Sequence, residues 1–109
     1  MPLSVYFVYI GGNFVSDTCL LTFNNFTTNI VDVKSKTLCI DPEDVERYKN
    51  PNSEVLIAVD EAGVLADYEG LRKVFGGFIL EDCAHSLGAT LNNKHSGLFG
   101  DAGVYSFYA

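Results

Sequence analysis

The stretch Val55–Leu80, VLIAVDEAGVLADYEGLRKVFGGFIL, decides the fold. Val55 to Val59 is a short run that is apolar at every position, as a strand covered on both faces requires. Asp67 then stands where a helix N-cap belongs. Its carboxylate can accept from the unpaired amides of a first turn, and Leu71, Val74 and Phe75 fall on one face of the segment Tyr68 to Phe75. Gly76-Gly77 stops that helix, since glycine is the residue that most readily leaves helical geometry at a C-terminus. Phe78 to Leu80 then resumes the apolar strand pattern. Strand, helix and strand in succession form a βαβ unit, and such units build parallel sheets.

The same alternation extends outward. On the N-terminal side, Val5 to Ile10 and Ile30 to Val33 read as strands. Asp41-Pro42-Glu43-Asp44 supplies a capping carboxylate, a proline at the first helical position and acids in the first turn, so a short helix is predicted to run to about Tyr48. On the C-terminal side, Asn92-Asn93-Lys94-His95-Ser96-Gly97 is turn chemistry, and Ala102 to Tyr108 alternates like a further strand. The predicted class is α/β, a three-layer α/β/α arrangement on a mainly parallel sheet.

A chain of 109 residues is one domain at most. Its apolar share of 48% and aromatic share of 13% are those of a globular protein and exclude a disordered one. The formal charge of −7, with no cluster of Lys or Arg, argues against a nucleic-acid partner. Cys19, Cys39 and Cys83 are an odd number at wide spacing, which suits neither a disulfide framework nor a zinc knuckle and favours a reducing compartment. The opening MPLSVYFVYIGG has no basic segment before its apolar run, and that run is too short to cross a bilayer. A cytoplasmic protein without a membrane partner is expected, and Asn25-Phe26-Thr27 is then a chance match to a glycosylation acceptor.

Ile79–Ala89, ILEDCAHSLGA, concentrates the chemistry. In open α/β sheets ligands bind beyond the carboxyl ends of strands, and Asp82 stands just past one. It either caps a following helix or lines a site. Glu81 reads as a solvated acid, Cys83 as a small core residue, and His85 as a partly buried histidine with a partner or as a site residue. A metal site from Asp82, Cys83, His85 and His95 lacks a second chelating pair, so no metal is expected. A phospho-acceptor site from Asp60 and Asp82 lacks a basic residue at a third strand end.

Three blocks in order carry a wider resemblance: IVDVKSKTLCIDPEDVE at Ile30–Glu46, VDEAGVLADYEGLRK at Val59–Lys73 and EDCAHSLGATLNNKHSGLFGDAGVYSFYA at Glu81–Ala109. Together they resemble the sugar-nucleotide aminotransferases of the DegT/DnrJ/StrS class, fold-type-I enzymes that use pyridoxal 5'-phosphate. The resemblance implies that residues 1–109 are the central part of a large domain, truncated. It implies that Asp82 pairs with the pyridine nitrogen of the cofactor and keeps it protonated. Ala84 would leave room for the ring, His85 would lie near the ring 3-oxygen, Phe14 would stack on the ring face and Ser106 would contact the phosphate. The family's Schiff-base lysine would fall two positions past Ala109, and its upstream phosphate-holding turn is also missing, so no catalytic residue is assigned within this chain.

The implied activity is amino transfer, typically from glutamate, to a keto sugar on a nucleotide, in amino-sugar, cell-surface polysaccharide or antibiotic sugar biosynthesis. The implied assembly is a homodimer. Relatives that lack the lysine are sugar dehydratases, and an inactive fragment or binding module is a third possibility. Two departures stand out. The segment from Asp67 to Glu81 is about one helical turn shorter than is usual in the family, and Asp60-Glu61 replaces the histidine or aromatic found in many relatives.

Overall fold

The computed structural model describes residues 4–8 and 27–107. Phe14 and Cys19 lie outside the described residues, as do Tyr108 and Ala109. The elements in chain order are β1 (Ser4–Val8), β2 (Thr27–Val31), α1 (Pro42–Tyr48), β3 (Ser53–Val59), α2 (Tyr68–Val74), β4 (Phe78–Asp82), β5 (Thr90–Leu91), β6 (Lys94–His95) and β7 (Ala102–Val104). Five strands form one sheet in the order β2-β1-β3-β4-β7, and every neighbouring pair in it is parallel. The predicted α/β class with a parallel sheet is what the chain adopts.

Both helices start and stop where local chemistry directs. Asp41 accepts from the Glu43 amide at 3.0 Å ahead of Pro42, and Asp67 accepts from the Gly70 amide at 2.9 Å. Each helix has 7 residues, too few to be stable alone, so burial holds them. Val45 of α1 and Tyr68 and Leu71 of α2 pack with Leu56 and Ala58 of β3 and Ile79 of β4 in one core, where Leu56 and Ile79 are register partners. Val45, Leu56, Leu71 and Ile79 each contribute about 1.5–3 kcal/mol when fully buried. Both helices therefore cover the same face, and of the three predicted layers the described residues supply the sheet and one helical layer. Lys49 links the helix ends, donating at 2.7 Å to Glu46 and at 2.7 Å to the Val74 carbonyl.

The turn from α2 to β4 needs its glycine for space. A Cβ on Gly77 would stand 2.5 Å from the Glu54 carbonyl oxygen. Phe75 is buried beside it, so the short α2 segment still closes the core. On the C-terminal side the predicted turn at Asn92-Asn93 joins β5 to β6 in a small antiparallel hairpin, at φ 52° and 62°, left-handed values that asparagine tolerates. The last strand ends at Val104 rather than Tyr108, because Val104 pairs with Asp82, the final residue of β4, and no partner backbone continues beyond it among the described residues.

Candidate active site

The site lies where β3, β4 and β7 end. Register pairs Val59 with Asp82 and Asp82 with Val104, so the three strands finish side by side. The Asp60 amide donates to the Asp82 carbonyl at 3.0 Å and the Cys83 amide to the Val104 carbonyl at 2.8 Å, which carries the pairing one residue past the strands. Successive strand residues face opposite ways, so Glu81 shares the helix-covered face with Ile79 while Asp82 faces the other side.

Asp82 is half-buried. Its Oδ1 accepts from the Ala84 amide at 3.0 Å, and no donor among the described residues reaches Oδ2. This local bond bends residues 84–88 into turns. Asp82 therefore caps no helix, contrary to one of the two expectations for it. Ala84 and His85 are half-buried in the turn, directly after Asp82. Ser106 lies two residues beyond Val104, exposed, past the end of the neighbouring strand. The topology thus brings Asp82, Ala84, His85 and Ser106 to adjacent strand ends, whereas Phe14 lies outside the described residues. An open carboxylate oxygen can accept from a protonated ring nitrogen, and a serine hydroxyl can donate to an anionic oxygen. These groups fit a ligand with both features.

Behind Asp82, on the helix side, sits a second set of acids. Glu81 is fully buried, which corrects the expectation of a solvated side chain. Its Oε1 accepts from the Gly97 amide at 2.7 Å, and its Oε2 from the amides of Phe99 and Gly100, each at 3.0 Å. Asp60 is fully buried as well. Its Oδ1 accepts from the Ala66 amide at 2.9 Å and the Tyr68 hydroxyl at 2.7 Å, while its Oδ2 faces the Ser86 hydroxyl at 3.3 Å and the Cys83 thiol at 3.8 Å. Removal from water raises the Asp60 carboxyl to about 7, with Glu81 adding to the rise and the Ala66 and Tyr68 donors opposing it. Burial also pushes the Cys83 thiol up to about 12, so it is an unreactive core group.

The sequence held a signal for both acids: Leu56, Ala58 and Asp60 share one face of their strand, as do Ile79 and Glu81. The grouping Asp82, Cys83, His85 and His95 does not assemble. Among the described residues, the potential ligand atoms that converge are those of Asp60, Glu81 and Cys83, within 4.8 Å of one another. The two carboxylates already accept from protein donors, and the Cys83 thiol donates to Asp60 Oδ2 and to the Glu81 carbonyl. A fully buried Asp60 is also closed to a phosphate donor, which removes the phospho-acceptor alternative.

A family model described as the DegT/DnrJ/EryC1/StrS aminotransferase family matches residues 12–109. Among solved structures, 3-amino-5-hydroxybenzoic acid (AHBA) synthase is similar at 31% identity and a TM-score of 0.85, over 98% of this chain and 28% of that one. A putative sugar aminotransferase from Streptococcus pneumoniae in its PLP-form is similar at 25% identity and a TM-score of 0.86, over 99% of this chain and 32% of that one. GDP-4-keto-6-deoxymannose-3-dehydratase (ColD), solved as a mutant with bound GDP-perosamine, is similar at 25% identity and a TM-score of 0.81, over 98% of this chain and 28% of that one. The chain thus spans less than a third of the length of each. Among the described residues, no helix is long and apolar enough to cross a membrane.

Proposed function

The chain belongs to the DegT/DnrJ/EryC1/StrS aminotransferase family, and on that premise we propose that it carries part of a pyridoxal 5'-phosphate site in a protein that transfers an amino group from an amino acid, glutamate by preference, to a nucleotide-linked keto sugar. The observation that supports this most is Asp82, half-buried at the end of an interior parallel strand, with no donor among the described residues on its Oδ2. When bound, the cofactor supplies an electron-accepting ring that eases loss of a proton from the substrate carbon. Asp82 holds the proton on the ring nitrogen, because a carboxylate partner favours the charged form of that nitrogen. Ser106 would donate its hydroxyl to the phosphate, Ala84 would leave room for the ring, and His85 would serve the ring 3-oxygen. Phe14, outside the described residues, is assigned to the ring face by the family resemblance alone. Residues 1–109 then form part of a large domain that works as a homodimer in the cytoplasm, in amino-sugar or surface-polysaccharide synthesis.

Asp82→Asn tests the assignment. In the full-length protein, absorbance of bound cofactor and single-turnover amino transfer should show the fold and binding kept but turnover lowered by roughly a hundredfold or more, the scale of a lost proton-holding group. Wild-type turnover in the variant overturns it. The similarity to a dehydratase supports a second reading, loss of water from the sugar. Product analysis separates the two: amino transfer leaves nitrogen on the sugar, and dehydration leaves none. Cofactor binding without either product identifies a binding module.

A further inference from the structure

Glu81 takes no part in the chemistry above, yet it is fully buried one residue from Asp82 and accepts three backbone amides of a single loop, those of Gly97, Phe99 and Gly100. Charge-assisted bonds to one buried carboxylate form a stiff tie. The tied loop is stitched to the segments that follow β4 and β7. Fully buried Ser96 donates its hydroxyl to the Ser86 carbonyl at 2.6 Å, and the Tyr105 hydroxyl donates to the Ser96 carbonyl. A Cβ on Gly103 of β7 would lie 2.6 Å from Gly97 Cα, so β7 rests directly on the loop backbone.

Among the described residues β7 pairs with β4 at three positions, Leu80–Ala102, Glu81–Gly103 and Asp82–Val104. The loop contacts therefore act on the same short stretch of β7 that is in register with Glu81 and Asp82.

We propose that Glu81 is a positioning residue: by tying loop 97–100 against β7, it sets the separation between Asp82 at the end of β4 and Ser106 beyond the end of β7. This role rests on the cofactor reading of Asp82 and Ser106. It predicts a signature that general loss of stability does not give. A ligand that must reach both groups loses affinity when their spacing loosens, whereas a ligand held at one group does not. Pyridoxal phosphate spans the two, and pyridoxal, which lacks the phosphate, uses Asp82 alone.

The experiment measures binding of pyridoxal phosphate and of pyridoxal to the wild-type protein and to Glu81→Gln, together with hydrogen exchange of the loop amides. Glutamine keeps the size of the side chain but turns an amide donor toward backbone donors. The expected result is faster exchange at Gly97, Phe99, Gly100 and Ala102–Val104, with the preference for pyridoxal phosphate over pyridoxal falling about ten-fold while pyridoxal binding holds. Equal losses for both ligands would mean that Glu81 only supports the fold, and the proposal is overturned. A wild-type preference that survives in Glu81→Gln overturns it too, and leaves the cofactor reading intact. A wild-type protein that binds both ligands alike overturns the cofactor reading and this role with it. Should Glu81→Gln fail to fold, Ser96→Ala removes one stitch from the same loop with Glu81 in place. A fall in the same preference of about three-fold then supports the role, and an unchanged preference refutes it.

Discussion

Replacing Asp60 by asparagine should remove a pH dependence of stability that the wild type carries. Asp60 is fully buried, and its carboxyl is raised from an ordinary 3.8 to about 7. In the unfolded chain the group is ionised above pH 4 to 5, whereas in the folded chain it keeps its proton until near neutrality. The folded state thus binds more protons across that window, and stability must fall as pH rises through it. Integrating one proton between pH 5 and pH 8 with these two values gives a loss of roughly 2–3 kcal/mol, and little further loss above. Asparagine preserves the carbonyl that accepts from the Ala66 amide and the Tyr68 hydroxyl, and its amide can donate toward Glu81. Asp60→Asn should therefore match or exceed wild-type stability at pH 8 and fall behind it at pH 5. Urea unfolding of both proteins at several pH values checks this. Parallel stability curves would refute the claim that Asp60 is protonated in the folded protein.

Tyr68→Phe deletes a buried hydroxyl that donates to Asp60 at 2.7 Å and should cost about 1–3 kcal/mol. Because that donor favours the ionised acid, its loss should also move the pH-dependent decline to higher pH in the same urea series, and an unmoved decline would count against the contact. Gly77→Ala puts a Cβ 2.5 Å from the Glu54 carbonyl oxygen and should destabilise by about 1–3 kcal/mol. Gly76→Ala meets nothing within 4 Å and should be neutral or stabilising by a few tenths, about what reduced unfolded-state freedom gives; thermal melts that rank the two the other way would refute the packing of this turn.

Features set by neighbouring residues were legible in the sequence. The caps at Asp41 and Asp67, the glycine stop after α2 and the apolar runs of β3 and β4 follow from local chemistry and stand where they were predicted, whereas β2 runs Thr27–Val31 instead of Ile30–Val33. Glu81 was misread because its partners lie in the loop 97–100, remote in sequence. Nothing local to Glu81 says that three amides will converge on it; only the alternation from Ile79 hints at burial. Asp60 was judged by its strand-end position, and its raised pKa depends on burial and on Glu81 arriving from a separate strand, against the opposing donors of Ala66 and Tyr68. The early end of β7 has a similar cause, since a strand lasts only as long as its partner does. Asp82 was legible as a site candidate because a strand terminus in a parallel sheet is a topological place, fixed once the strands are counted.

Glu81 and Asp82 are consecutive acids with opposite surroundings, and the pleat of β4 alone assigns them. Deleting one residue between Gly77 and Leu80 would turn that assignment over: the loop would meet the carboxylate meant for solvent, and the open face would receive the one meant for the interior. The chain would still read as acid-acid at this point, with the same composition and charge there, so the defect would escape any inspection by residue type. Substitutions can be absorbed one at a time along this strand, but a change of length cannot. Natural insertions and deletions in related chains should therefore collect in the hairpin at Asn92-Asn93 or in the turn before β4 and spare the strand itself.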